Sequence, residues 1–251
     1  MSEIRKIAGK EPVSQDDILK ELFKDAPASE SWQVTLPSKG RFYTNFRGAS
    51  VSPLTYQDEE RILNSKGQGT ELINLLVEAC VTGVTMSEVV PMDKLFLLMK
   101  IREISYGSEY KFSVGCPSCN TEIKTSLDLG SHFIVNEVPE DLTDPREVVL
   151  PKLGVTAKVR FPRTQDESYL SDSKVLISNL YRFIESLGKY SDPLIISKAV
   201  NRMHIQDIKK IIKEVHKDEY GIDPRFMFEC PSCKHSTMMS VPLGADFFSV
   251  S

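Results

Sequence analysis

The stretch Tyr106-Gly107-Ser108-Glu109-Tyr110-Lys111-Phe112-Ser113-Val114-Gly115-Cys116-Pro117-Ser118-Cys119 has a second version in Tyr220-Gly221-Ile222-Asp223-Pro224-Arg225-Phe226-Met227-Phe228-Glu229-Cys230-Pro231-Ser232-Cys233. The shift is 114 residues (230 minus 116). At that shift Leu127 falls on Val241, Leu129-Gly130 on Leu243-Gly244 and Phe133 on Phe247. Upstream, Asp93 falls on Asp207 and Ile101 on Val215. Further back the shift shortens by about six residues, and Val51-Ser52-Pro53-Leu54-Thr55-Tyr56-Gln57-Asp58-Glu59 resembles Val159-Arg160-Phe161-Pro162-Arg163-Thr164-Gln165-Asp166-Glu167. Self-similarity of this length reads as a tandem duplication of a unit of roughly 100 residues, an ordinary domain size.

Both copies give the same order of elements. A short strand (49–54; 157–161) ends at a Pro-x-Thr element, where Thr55 and Thr164 are expected N-caps followed by acidic first-turn residues. A second helix is expected over 70–81 and over 174–187, and a third over 92–104 and 205–216, the last with Ile208, Ile211, Ile212 and Val215 at helical spacing. Tyr-Gly then closes the helix, the glycine suiting a left-handed cap. A β-hairpin follows, with Cys-Pro-Ser-Cys at its tip: 110–114 with 122–129, and 225–228 with 237–243. The expected organisation is an N-terminal polar segment (1–31), a first repeat (32–135), an acidic proline-bearing linker (136–150) and a second repeat (151–251).

Four of the five cysteines stand in the two tips. A CxxC turn lets two sulfurs face one ion, and the proline presets the backbone of the turn. With no apolar signal segment at the start, a disulfide framework is the poorer reading. The gap of 110 residues between Cys119 and Cys230 is far longer than the 15–20 of a single zinc ribbon. One knuckle per repeat accounts for it, with Cys116, Cys119, Cys230 and Cys233 meeting at one structural zinc. A redox dithiol would place CxxC at a helix N-terminus, and here strands flank it. Separate sites completed by His132 or His235 are the other alternative, but neither histidine has a counterpart in the other copy. A closed shell of four thiolates has no open position for substrate, so it stabilises and does not catalyse. Cys80, on an apolar helix face, reads as a buried thiol.

The other functional signals are weaker. The net charge of −4 argues against a protein that holds nucleic acid by bulk positive charge. No stretch is long and apolar enough for a membrane helix. The four histidines and the acidic pairs have no catalytic context, so an enzyme is not expected. Leu36-Pro37-Ser38-Lys39-Gly40 lacks the spacing of a phosphate-binding loop and reads as a turn between extended pieces at 32–35 and 41–43. As candidate partner-binding residues it offers Ser38, Lys39 and Gly40, with Arg41 beside them. In the N-terminal segment Ser14 starts a short amphipathic stretch with Ile18, Leu22 and Phe23, marginal as an isolated helix and a candidate docking peptide.

Leu-Pro-Ser-Lys-Gly-x-Phe-Tyr at 36–43 and Val-Ser-Pro-Leu-Thr-x-x-Asp-Glu at 51–59 resemble the opening of a family from contractile-tailed bacteriophages. Lys100-Ile101-Arg102-Glu103-Ile104-Ser105-Tyr106-Gly107, with Tyr110 and then Cys116-Pro117-Ser118-Cys119, looks like its middle. The family is the baseplate hub assembly proteins of T-even-type phages; the resemblance is close over residues 32–135 and looser over the second copy. It implies a phage protein without enzymatic activity that binds other baseplate or hub proteins, acting in the host cytoplasm during assembly or residing in the tail baseplate. The alternative is a zinc-ribbon regulator that binds nucleic acid.

The fold expected is therefore α+β: a tandem duplication of a strand–helices–zinc-knuckle hairpin unit, forming two pseudo-symmetric lobes joined by a four-cysteine zinc site.

Overall fold

Apolar residues at period two in the short segments and at period 3.6 in the long ones yield a mixed molecule, 39% helix and 24% strand. In the computed structural model, residues 14–22, 24, 30–64, 70–217, 219–243 and 245–248 are described. The chain divides into two units, 1–30 and 31–251. In the first, α1 (Gln15–Leu22) is an eight-residue helix with Ile18, Leu19 and Leu22 exposed.

The second unit opens with β1 (Trp32–Val34), β2 (Ala49–Val51), α2 (Tyr56–Asn64), α3 (Thr70–Cys80), β3 (Val81–Thr82) and α4 (Pro91–Tyr106). The hairpin β4 (Glu109–Gly115) and β5 (Glu122–Asp128) follows, then α5 (Leu129–His132) and β6 (Val135–Asn136). Next come β7 (Arg146–Leu150), β8 (Val155–Val159), α6 (Ser173–Asn179), β9 (Ile184–Leu187), α7 (Pro193–Val200) and α8 (Ile205–Val215). The chain ends with β10 (Gly221–Ile222) and the hairpin β11 (Arg225–Glu229) and β12 (Ser236–Ser240).

Two antiparallel three-stranded sheets share one strand order, β1-β2-β3 and β7-β8-β9. In each the middle strand pairs at its last residue with both neighbours. Val51 faces Trp32 and Val81, while Val159 faces Arg146 and Ile184. The turn before each middle strand begins Leu-Pro: Leu36-Pro37-Ser38-Lys39-Gly40 and Leu150-Pro151-Lys152-Leu153-Gly154. Both leucines are buried and both glycines have positive φ, 75° and 72°. At Gly40 a Cβ would stand 1.9 Å from the Phe46 ring, so the position takes no larger residue.

A buried aspartate ties each turn to the long helix behind it. Asp93 on α4 accepts from the Ser38 N–H at 2.9 Å, from the Ser38 hydroxyl and from the Tyr43 hydroxyl at 2.6 Å. Asp207, at the matching place on α8, accepts from the N–H groups of Lys152 and Leu153 at 3.0 and 2.8 Å. Both aspartates are wholly buried. Burial raises Asp93 above the usual carboxylate range, against the hydrogen bonds from Ser38 and Tyr43 that favour its charged form.

Several expectations are corrected. Residues 146–150, read as linker, form the strand β7. The helix expected over 174–187 stops at Asn179; a 3₁₀ turn follows, and 184–187 become the strand β9 against β8. Thr55 does cap its helix, its hydroxyl accepting the Asp58 N–H at 3.2 Å while Asp58 accepts the Thr55 N–H. Thr164 does not: its N–H and hydroxyl both donate to the Val89 carbonyl, at 2.9 and 3.1 Å. Gly107 has φ 87° but an extended ψ of 167°, so it departs from a left-handed cap. The strand β1 finds its partner at 49–51, not at 41–43.

The packing does not follow the repeat boundaries either. One core joins Leu36, Val51, Leu76, Leu97 and Ile101 of the first half to Phe226 and Phe228 of the second hairpin and to Val241 and Phe247 just after it. A second core, with Leu150, Val159, Leu180, Phe183 and Ile211, lies under the sheet of β7, β8 and β9. A smaller cluster of Val90, Val138, Leu142, Phe161 and Tyr220 connects residues of both halves, and the buried ion pair of Lys94 with Glu167 crosses there too.

The aspartate ties give a direct test. Asp207→Ala leaves two backbone N–H groups buried without an acceptor, and Asp93→Ala strands a hydroxyl pair and an N–H. Each substitution is expected to lower unfolding free energy by about 2–4 kcal/mol in urea titration. A loss below about 0.5 kcal/mol for either would show that these turns hold without the aspartate.

Candidate metal centre

Each hairpin reaches the sulfur cluster through the same six-residue loop. The last ladder pair of the first hairpin is Gly115 with Glu122, and of the second Glu229 with Ser236. Inside each loop the backbone closes identically. Cys116 N–H donates to the Thr121 carbonyl and Asn120 N–H to the Cys116 carbonyl, both at 2.9 Å. Cys230 N–H donates to His235 and Lys234 N–H to Cys230, again at 2.9 Å. The residue after the second cysteine turns left-handed in both, with φ 57° at Asn120 and 59° at Lys234. Asparagine visits that region readily; lysine does so at a cost of about 1 kcal/mol.

Period-two alternation sets the inner faces of the hairpins against each other. Phe112 and Phe226, 114 residues apart in sequence like the cysteine motifs, meet edge to face with ring centroids 5.5 Å apart. Tyr110 packs edge-on against Phe247 at 4.8 Å, and its hydroxyl donates to the Pro242 carbonyl at 3.0 Å. Such ring pairs contribute about 0.5–1.5 kcal/mol each beyond burial. They fix the separation of the two tips before any ion is considered.

At the tips all four Sγ atoms lie within 4.8 Å of one another. Cys116 stands 3.7 Å from Cys233, and Cys119 stands 3.7 Å from Cys230. Four sulfurs at about 2.3 Å from a central zinc would be about 3.8 Å apart along the tetrahedron's edges, so the donor set and its spacing fit that ion. Disulfides need about 2.05 Å. The contacts are reciprocal: the first cysteine of each Cys-Pro-Ser-Cys motif meets the second cysteine of the other. Cys116 and Cys230 are buried, Cys119 and Cys233 exposed.

The surroundings favour thiolates at some members and resist a full set. A hydrogen bond with Thr121, whose hydroxyl oxygen is 3.2 Å from Cys119 Sγ, holds that thiol down at about 6. Backbone N–H groups at Cys233 and Ser232 lower Cys230 as well. At Cys233 the backbone hydrogen bond near His235 favours the anion, yet desolvation and the neighbouring sulfurs push the thiol up to about 11. Were all four sulfurs anionic together, a cation among them would be needed to offset their mutual repulsion. Cys80 is apart from this cluster, buried, with burial pushing its thiol up to about 12.

The other candidate residues are placed differently. Ser38 is fully buried and committed to Asp93, and its hydroxyl also accepts from the Gly40 N–H at 3.1 Å. Gly40 is buried; Lys39, with φ 54°, is the member of the turn that faces solvent, paired with Glu137. Arg41 donates to the carbonyls of Pro139, Glu140 and Leu142 at 2.7–2.9 Å and so braces the segment leading to β7. On α1, Ile18 and Leu22 are exposed, while Phe23 lies outside the described residues. Missed in the sequence was the role of the Asp93 and Asp207 pair, for which the matched Leu-Pro-x-x-Gly turns, also at a shift of 114, were the available signal.

A family model described as T4 bacteriophage base plate protein matches residues 30–249. No curated protein and no solved structure matches the chain with significance.

Two outcomes check the geometry of the centre. After chelator treatment, iodoacetamide should modify Cys119 first, since it is exposed and its thiol is held low, and the buried Cys80 last, read by peptide mass spectrometry. Equal rates at all five thiols would contradict the packing. Lys234→Asn should raise unfolding free energy by about 0.5–1 kcal/mol by relieving the left-handed lysine; a loss of stability would contradict that backbone assignment.

Proposed function

Because the chain belongs to the T4 bacteriophage base plate protein family, we propose that it is a non-enzymatic hub assembly protein of the phage tail baseplate, working through protein–protein contacts. The observation that carries this reading is the family match over nearly the whole of residues 31–251, which contain the cysteine cluster. The cluster adds the structural element. In this reading Cys116, Cys119, Cys230 and Cys233 hold one zinc ion, whose chemistry when bound is to cross-link four thiolates without an open coordination position. The chain's part is to present preformed knuckles, the Thr121 hydroxyl and the backbone N–H groups that favour sulfur anions.

The same reading takes the chain as a tandem duplication whose two pseudo-symmetric lobes the zinc clasps together. Its supports are the shared strand order, the Leu-Pro-x-x-Gly turns, the Asp93 and Asp207 ties, the positive φ at Gly107 and Gly221, and the reciprocal sulfur contacts. The second copy then starts near Arg146, so that the connection between copies is about 136–145 and not 136–150. Lys39 on the Leu36–Gly40 turn and the apolar residues of α1 are the partner-facing candidates. Among the described residues no helix is long and apolar enough to cross a membrane. The host cytoplasm during assembly, and the tail baseplate afterwards, are the places this function requires.

The test is recovery of the tagged full chain from infected cells. Other baseplate proteins should accompany it in mass spectrometry, with a complex that tolerates a rise in salt, as apolar interfaces do. Recovery with nucleic acid alone, lost steeply as salt rises, would contradict assembly and favour the nucleic-acid regulator.

A further inference from the structure

One difference between the halves has no use in the clasp. Between β3 and α4 the first half has a single 3₁₀ turn, Met86–Glu88; at the same place the second half carries the helix α7. Ile196 and Val200, one turn apart, bury the inner face of α7 in the second core. Its outer face is apolar as well: Leu194 is 72% exposed and Ile195 48%, with Tyr190 beside them in sequence at 52%. Lys198 follows Leu194 by one turn on that outer face. Lys189 lies over the Tyr190 ring and Arg202 stands two residues past the end of α7, both exposed. Between residues 180 and 202 there are four basic residues and two acidic ones, Glu185 and Asp192. Asp192 is spent on capping α7, accepting from the N–H groups of Leu194 and Ile195 at 2.8 and 3.0 Å.

The helix α1 has the opposite character. Ile18, Leu19 and Leu22 form an exposed apolar face, with Leu22 at 70%, and Asp16 and Glu21 are exposed on the same short helix. Residues 11–30 hold six acidic and two basic side chains. Eight residues cannot hold a helix in water by propensity alone. An acidic-flanked apolar helix and a basic-flanked apolar helix face are thus carried by the same chain.

We propose that α1 of one copy docks on α7 of a neighbouring copy, its Ile18, Leu19 and Leu22 packing on Tyr190, Leu194 and Ile195 while its acidic residues face Lys189, Lys198 and Arg202. This deepens the docking role given to α1 above and rests on it. The two surfaces differ, so the contact is heterologous: every copy offers one helix and one seat, and repetition closes a ring or extends a filament. A helix of eight residues is about 12 Å long. The area covered falls in the class of weak, transient interfaces. Such a contact gains strength only when a scaffold holds several copies near each other.

Sedimentation velocity of the full chain over a concentration series tests this. The wild type should show a mass that rises with concentration, whereas Leu22→Glu and Leu194→Glu, both at exposed positions and with unchanged thermal melting, should each stay monomeric. Mixed together, the two variants should form a one-to-one complex that grows no further, because Leu194→Glu supplies the only intact helix and Leu22→Glu the only intact seat. A wild type that is monomeric throughout, a variant that associates as the wild type does, or a mixture that stays monomeric overturns the proposal. Should Leu22→Glu also lose its baseplate partners while the wild type never self-associates, the copy-to-copy contact falls and docking of α1 on other baseplate proteins stands.

Discussion

Four sulfurs from two hairpin tips, 110 residues apart in sequence, converge within 4.8 Å, and most of the architecture can be understood as what such convergence demands. For the tips to meet, the inner faces of both hairpins must pack on each other, which Phe112 and Phe226 accomplish, while Phe247 of the 3₁₀ turn after β12 packs on Tyr110. The second hairpin must then leave its own half and join the core of the first. Closing a loop of this length costs chain entropy that grows only slowly with length, so the span itself is no obstacle. With the proposed ion in place, the reverse also holds: a cross-link across about 100 residues restricts the unfolded chain by several kcal/mol, on top of the roughly 10 kcal/mol that structural zinc contributes in small modules.

The two halves match at the cysteine tips and the Leu-Pro-x-x-Gly turns and differ elsewhere. Both retain a turn tied to a wholly buried aspartate, a glycine with positive φ after the last long helix, and a loop of six residues around Cys-Pro-Ser-Cys. In the first half the loop after the Leu-Pro-x-x-Gly turn is the longer one, and Arg41 and Tyr43 in that loop reach the 139–142 carbonyls and Asp93. The second half carries α7 between β9 and α8, where the first half has only a 3₁₀ turn between β3 and α4.

Much of this was legible in the sequence because it rests on local chemistry. The knuckles follow from Cys-Pro-Ser-Cys between alternating apolar residues, and α8 from isoleucines at helical spacing. What escaped depends on tertiary context. Leu180, Phe183, Ile184 and Leu187 fit a helical stripe, yet a short buried strand gives the same apolar pattern, and pairing of Ile184 with Val159 settles it as strand. Thr164 has a capping sequence, but the Val89 carbonyl from the other half claims its hydroxyl. Leu150-Pro151 was passed over because acidic and proline-bearing residues upstream of it looked like a linker, although β7 begins only four residues before Leu150. A repeat tells which elements recur; it does not tell which core each copy joins.

A clasp shared by both tips requires one ion per chain. Elemental analysis of the full chain, purified under reducing conditions without chelator, should give one zinc per chain, falling to none when Cys116 and Cys230 are both replaced by serine. Two zinc ions per chain would mean that each knuckle binds its own ion, and a chain that is folded and free of metal would mean that the aromatic contacts alone hold the tips together; either result contradicts the shared clasp.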